Sequence, residues 1–210
     1  MNSARPSLLI ATNNKGKLVE FQALLPTSID LLTLADLGLD SPEETGTTFA
    51  ENARLKAETA ARQAKLIAIA DDSGLEVDAL GGAPGVYSAR YAGAEANDDA
   101  NRVKLVRAMA DVPLAQRSAR FQCSVAIATP DGNTVLSAGT CEGSIGWQPK
   151  GTNGFGYDPL FILPDGRTMA ELPSEEKNQI SHRANAYRAA LPSLFRMLGL
   201  IEEAETCPHL

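Results

Sequence analysis

The sequence predicts an α/β fold on a mixed central sheet, and three observations carry that prediction. Strand-like and helix-like stretches alternate through the N-terminal half. Two long strand-like runs, Ala119 to Thr129 and Thr134 to Ile145, then flank the turn signal Pro130-Asp131-Gly132-Asn133. A helical stretch follows, so the hairpin forms part of a second lobe packed against the first. A cleft between lobes is a natural binding site. No stretch has linker composition, so residues 1–210 read as one bilobed domain, with residues 201–210 (IEEAETCPHL) as a frayed acidic tail.

Ser7 to Thr12 is a short apolar run that ends at the polar cluster NNKGK, and the helical pattern of VEFQALL follows it. Leu31, Leu32 and Leu34 belong to a second strand. Thr47 or Thr48 caps a long helix, TFAENARLKAETAARQAK, with Glu51 in its first turn favouring the helix dipole. LIAIA reads as a buried strand that runs straight into Asp71-Asp72-Ser73-Gly74. Gly81, Gly82, Pro84 and Gly85 mark an irregular loop. Asn97 to Ala110 is helical, with Val103, Val106 and Met109 as its apolar stripe. The glycine-rich loop KGTNGFGYDP precedes a strand at Leu160 to Leu163. The last helix begins near Ser181 and runs to about Leu198, with Pro192 as a kink or break. Trp147 and the methionines are expected in the core.

Composition excludes several classes. With 44% hydrophobic and 21% charged residues the chain has a globular balance, not a disordered one. Its 19 Lys+Arg against 26 Asp+Glu give a net charge of −7, which argues against a polymeric nucleic acid partner, since phosphate neutralisation needs a basic face. No apolar run reaches the ~18 residues of a membrane span. The N-terminal apolar stretch is too short for a secretion signal. Cys123, Cys141 and Cys207 are widely spaced and odd in number, which fits a reducing cytoplasm and no disulfide framework. With His182 and His209 as the two histidines, a bound metal is expected to be a hard cation on oxygen ligands.

Five segments carry chemistry-bearing residues. Thr12-Asn13-Asn14-Lys15-Gly16-Lys17 joins a strand to a helix, where amides, a hydroxyl and two cations suit a triphosphate, although the Walker A spacing is absent. Asp71 and Asp72 are adjacent carboxylates that repel one another, which Mg²⁺ bound to phosphates would offset, with Ser73 available as a donor. Glu43 and Glu44 can add carboxylate to the same cation. Asn52 and Lys56 lie four apart on the long helix, near Glu51, and can point together. Phe155 and Tyr157 offer rings to a base, or fill the core. Lys177 and Ser181-His182-Arg183 put cations at a helix start, against the dipole, as an anionic ligand would require.

In order, ATNNKGKLVEF, EETGTTFAENARLKA, ADDSGLEVDALGGAPGVYSARYAG, GFGYDPLF and SHRANA resemble the inosine/xanthosine triphosphate pyrophosphatase family, over about Ala11 to Leu191. The resemblance implies an elongated mixed sheet with flanking helices, two lobes around a nucleotide-binding cleft, and a homodimer. It implies Mg²⁺-dependent hydrolysis of ITP, dITP and XTP to the monophosphate and pyrophosphate, and a purine nucleoside triphosphate as the small-molecule partner. By position it places Thr12, Asn14 and Lys17 at the triphosphate, with Asn13, Lys15 and Gly16 among them. Asp72 matches the proton acceptor, Glu43 and Asp72 the metal positions, and Ser73 a substrate contact. Phe155, Gly156, Tyr157 and Asp158 match the base-binding loop, and Lys177, His182 and Arg183 further nucleotide contacts. Asn13 departs from the glycine that many members carry. Two alternatives stay open: a nucleotide-binding regulator without turnover, and a phosphohydrolase for other modified triphosphates.

Overall fold

The computed structural model describes residues 5–201, so the expected tail lies, apart from Ile201, outside the described residues. A six-stranded sheet runs in the order β2-β1-β3-β4-β5-β6. Its strands are β1 (Ser7–Ile10), β2 (Asp30–Thr33), β3 (Ile67–Val77), β4 (Ser118–Ala128), β5 (Thr134–Ile145) and β6 (Phe161–Ile162). Pairing is parallel among β2, β1 and β3 and antiparallel from β3 through β6. The helices are α1 (Lys15–Leu24), α2 (Phe49–Ala64), α3 (Asp98–Ala108), α4 (Ser174–Ile180) and α5 (His182–Met197).

Side-chain size decides what packs on each face. Ala53, Ala57, Ala60 and Ala61 of α2 lie against Leu9, Ala68, Ala70, Ala126 and Ala128, so α2 comes close to one face of the sheet. The opposite face carries Leu8, Ile10, Ile69, Val125 and Ile127, which pack on Phe21 of α1 and Ala186, Tyr187 and Leu194 of α5. A third cluster, including Leu75, Phe121, Ile145, Tyr157 and Phe161, fills the second lobe beneath α3.

The structure corrects several expectations. Asp71-Asp72-Ser73-Gly74 does not follow a strand but lies inside β3. β1 pairs with β3 only from Ile67 to Ile69, while β4 continues beside β3 to Val77. From Asp71 onward one side of β3 is therefore free of a strand partner, and the cleft opens there. Of the stripe expected on α3, Met109 is buried and Val106 packs beside it, whereas Val103 is half exposed and Asn101 and Leu105 are buried instead. Trp147 is also half exposed, stacked on the guanidinium of the buried Arg117 at 3.5 Å. α4 was not foreseen, and α5 continues through Pro192. Packing of Tyr187, Ala190 and Leu194 in the core holds α5 together across the hydrogen bond that proline cannot make.

Gly139 of β5 sets the position of α5. A Cβ there would lie 2.3 Å from Ala186 N and 2.4 Å from His182 O. The missing side chain lets the first turn of α5 rest on the strand, and so brings His182 and Arg183 to the cleft.

Candidate active site

The cleft encloses about 300 Å³ and is walled by the β1–α1 loop, β3, the segment Val86 to Ala89, the loop around Phe155 and the start of α5. At one end Asn14 caps α1, its Oδ1 accepting from Lys17 N at 3.1 Å, while Thr12 Oγ1 accepts from Asn14 N at 3.2 Å. This turns the chain into α1 beside the cleft, where a helix start suits an anion. Thr12, Asn13, Asn14 and Lys17 line the cleft; Lys15 is exposed outside it, and Gly16 lies behind, where a Cβ would meet Phe155 Cδ1 at 2.9 Å.

The alternation of β3 separates its two aspartates. Asp71 faces α1 and α5: its Oδ2 lies 2.8 Å from Lys17 Nζ and 3.2 Å from Arg183 Nε, and accepts from Ser73 Oγ at 3.2 Å. Burial pushes its pKa up, but Lys17, Arg183 and Lys56 outweigh burial and hold the carboxyl well below the usual range. Asp72 faces α2, where Asn52 Nδ2 donates to Oδ2 at 3.0 Å and Lys56 Nζ lies 3.5 Å from Oδ1. Burial, helped by the charge of Glu44 and opposed by Lys56, raises the Asp72 pKa. A carboxylate ready to take a proton thus lies in the cleft wall.

α2 presents Asn52 and Lys56 together, as their spacing predicts. Asn52 Oδ1 also accepts from Gly46 N at 2.7 Å, tying down the loop before the helix. Glu51 turns away and closes a capping box with Thr48. Of the two adjacent glutamates, Glu44 lines the cleft, with Lys56 Nζ 2.6 Å from its Oε1 and Arg90 Nη1 3.5 Å from its Oε2. Glu43 is exposed and outside the cleft lining.

Phe155, Gly156, Tyr157 and Asp158 all line the cleft, with the Phe155 ring beside Gly16. Tyr157 is buried and donates to Ser88 O at 2.9 Å, so its ring belongs to the lobe core, whereas Phe155 is only partly buried. Asp158 accepts from Phe155 N at 3.0 Å and from Lys177 Nζ at 2.7 Å. Lys177 Nζ lies 4.8 Å from the Phe155 ring centre. It sits in the last turn of α4, where the dipole favours a cation; Ser181 then caps α5. His182 stacks on Phe121 at 4.8 Å with its Nδ1 buried and unpartnered. Burial first, and the charges of Arg183 and Lys177 next, keep its pKa well below the ordinary value, so the ring is neutral.

Glu20, which braces two cleft cations, is one residue that the sequence reading missed. Its carboxylate lies between Lys177, at 3.0 Å, and Arg183, whose Nη1 donates to it. Burial opposes its ionisation, but Arg183 and Lys177 prevail and lower its pKa. The spacing Lys17 to Glu20, one turn of α1, was the available signal. Ser88, Asp98 and Phe121 also line the cleft without having been foreseen. Each cleft cation is matched: Lys17 by Asp71, Lys56 by Glu44 and Asp72, Lys177 by Glu20 and Asp158, Arg183 by Asp71 and Glu20.

Residues 8–193 match the model of the Ham1 family. The dITP/XTP pyrophosphatase of Geobacillus kaustophilus is 56% identical over 85% of this chain and 89% of its own length. That of Exiguobacterium sibiricum is 49% identical, over 91% and 98%. Among solved structures, the Ham1 protein of Staphylococcus aureus aligns with a TM-score of 0.81 at 44% identity, covering 91% of this chain and 99% of that one. A HAM1 protein from Coxiella burnetii aligns with a TM-score of 0.84 at 42% identity, with the same coverage.

Proposed function

The chain belongs to the Ham1 family, and we propose that it hydrolyses the noncanonical purine nucleoside triphosphates ITP, dITP and XTP to the monophosphate and pyrophosphate. The observation that carries this reading is Asp72, a buried carboxylate held by Asn52 and Lys56 in the wall of a cleft that the α1 helix start and Phe155 also line. Asp72 accepts the proton of a water whose oxygen attacks the α-phosphorus, and the bond to the bridging oxygen breaks to release pyrophosphate. Lys17 and the amides at the start of α1 receive the charge that develops on the leaving group. Asn52 holds Asp72 in place, and Lys56 offsets charge beside it.

Phe155, only partly buried, offers a ring face to the base. Arg183 donates from all three of its nitrogens to Asp71, Glu20 and Ser73, so its role is to hold the wall. Neutral His182 supplies the donor to a 6-oxo group, and a 6-amino purine would leave that buried donor unpaired, a mismatch that can discriminate by roughly 10⁴.

The donor chemistry fits Mg²⁺. The cleft cations are already matched, so a triphosphate brings uncompensated charge. Glu44 and Asp72 offer hard oxygen ligands on either side of Lys56. Among the described residues there is no cluster of three or more potential ligands, in keeping with an ion that takes one or two carboxylates and completes its shell with phosphate oxygens and water. When bound, Mg²⁺ would neutralise phosphate charge and lower the pKa of the attacking water.

The family resemblance supports a homodimer, which sedimentation can read. A cytoplasmic location rests on the cysteine pattern; among the described residues no helix is long and apolar enough to cross a membrane. Product analysis tests the activity. ITP should yield IMP and pyrophosphate; IDP and orthophosphate, or no turnover, would overturn it.

A further inference from the structure

The two backbone groups of Gly156 are both held by side chains of one helix. Asp98 Oδ2 accepts from Gly156 N at 2.7 Å, and Arg102, one turn further along α3, donates through Nη1 to Gly156 O. Arg102 is itself braced by Asp99. Gly156 has φ +61 and stands between Phe155 and Tyr157, so this grip fixes a left-handed bend between the two rings. The other end of the bend is fixed by Asp158, which accepts from Phe155 N. The lobe core holds Tyr157, but Phe155 has no comparable anchor in any apolar cluster.

We propose that Asp98 and Arg102 are positioning residues for the base end of the cleft, clamping Gly156 so that the Phe155 ring stays ordered for the purine. This deepens the proposed function and rests on it. The clamp acts on base recognition, and its hydrogen bonds involve neither Asp72 nor Asn52 and Lys56. Its loss therefore raises KM and relaxes the preference for 6-oxo over 6-amino purines, while kcat at saturation persists.

Two readouts test it. In the first, ITP and ATP kinetics are compared for the wild type and the D98A, R102Q and D98N variants. D98A and R102Q should each raise KM for ITP by about tenfold, the scale of one hydrogen bond to a charged group, with kcat retained to within about threefold and a smaller ITP-to-ATP preference. D98N keeps an acceptor oxygen and should restore most of the loss. In the second, amide hydrogen exchange of residues 151–160 should quicken in D98A and recover in D98N, with or without turnover. Unchanged KM in D98A and R102Q, a loss confined to kcat, or a D98N variant as impaired as D98A would each overturn the clamp. Unaltered exchange would do the same. Wild-type protein inactive on ITP would instead defeat the proposed function, and the exchange data would still decide the clamp.

Discussion

Asp71 and Asp72 are consecutive residues of β3, yet their carboxylates sit on opposite faces of the sheet, one 2.8 Å from Lys17 and the other 3.5 Å from Lys56. Their pKa values move apart, down for Asp71 and up for Asp72. The first is a fixed anion that holds α1 and α5 together, and the second is the base of the proposed reaction.

Opposite shifts imply opposite effects on stability. Asp72 binds its proton more tightly when folded, so its contribution is full below the unfolded pKa of ~3.9 and is lost as pH rises through the raised folded value. Asp72→Asn should therefore be more stable than wild type at pH 7 in urea melts, and the difference should shrink towards pH 4. A variant less stable than wild type at pH 7 would contradict the strain assigned to Asp72.

Asp71 behaves in reverse. Its contribution is present above the unfolded pKa and lost as pH falls towards the depressed folded value. Asp71→Asn leaves Lys17 and the buried Arg183 facing an amide, which should cost about 3 kcal/mol or more at pH 7. Denaturant midpoints that match wild type would refute it.

Turnover should report the same base. On the acid side kcat should fall as Asp72 takes up its proton, because Asp72 must be deprotonated to act. Asp72→Asn should lower kcat by a factor on the order of 10² or more. Near-normal turnover in that variant would remove Asp72 from the role.

Metal dependence should distinguish the two neighbouring glutamates. Glu44 lines the cleft and Glu43 is exposed. Mg²⁺ titrations of activity should show a larger rise in the half-saturating concentration for Glu44→Gln than for Glu43→Gln. The reverse order would return the role to Glu43, the position that the family resemblance favours.

Gly139→Ala should disturb the site from a distance. The new Cβ would meet backbone of α5 at 2.3 Å, where no flexible side chain can yield. A loss of about 1–3 kcal/mol is expected, together with weaker nucleotide binding as His182 and Arg183 shift. Wild-type melting and KM would show that α5 has room to move.

Much of this was legible in the sequence because local signals agreed. Thr48 with Glu51 announced the start of α2, alanines at helical spacing announced its close approach to the sheet, and Pro130-Asp131-Gly132-Asn133 announced the hairpin. The family resemblance, borne out by the Ham1 match, gathered the segments into one site. What stayed hidden depended on distant partners. Glu20 looks like any surface glutamate until Lys177 and Arg183 arrive from the other end of the chain. The placement of Asp71 and Asp72 inside a strand depended on β4 running ten residues beyond the reach of a local pattern, from Ala128 back to Ala119. Tyr157 took the second of its two expected places, the core, whereas Trp147, expected in the core, lies on Arg117.

The pairing of Lys17, Lys56, Lys177 and Arg183 with carboxylates also governs how substrate arrives. The cleft projects little positive field into solvent, and the chain around it is acidic overall. A free triphosphate therefore meets no long-range electrostatic funnel. Attraction begins at short range, where the phosphates compete with Asp71, Glu20 and Glu44 for cations already in position. Capture is then set by exchange of partners inside the cleft, and the association rate should not fall as salt is raised.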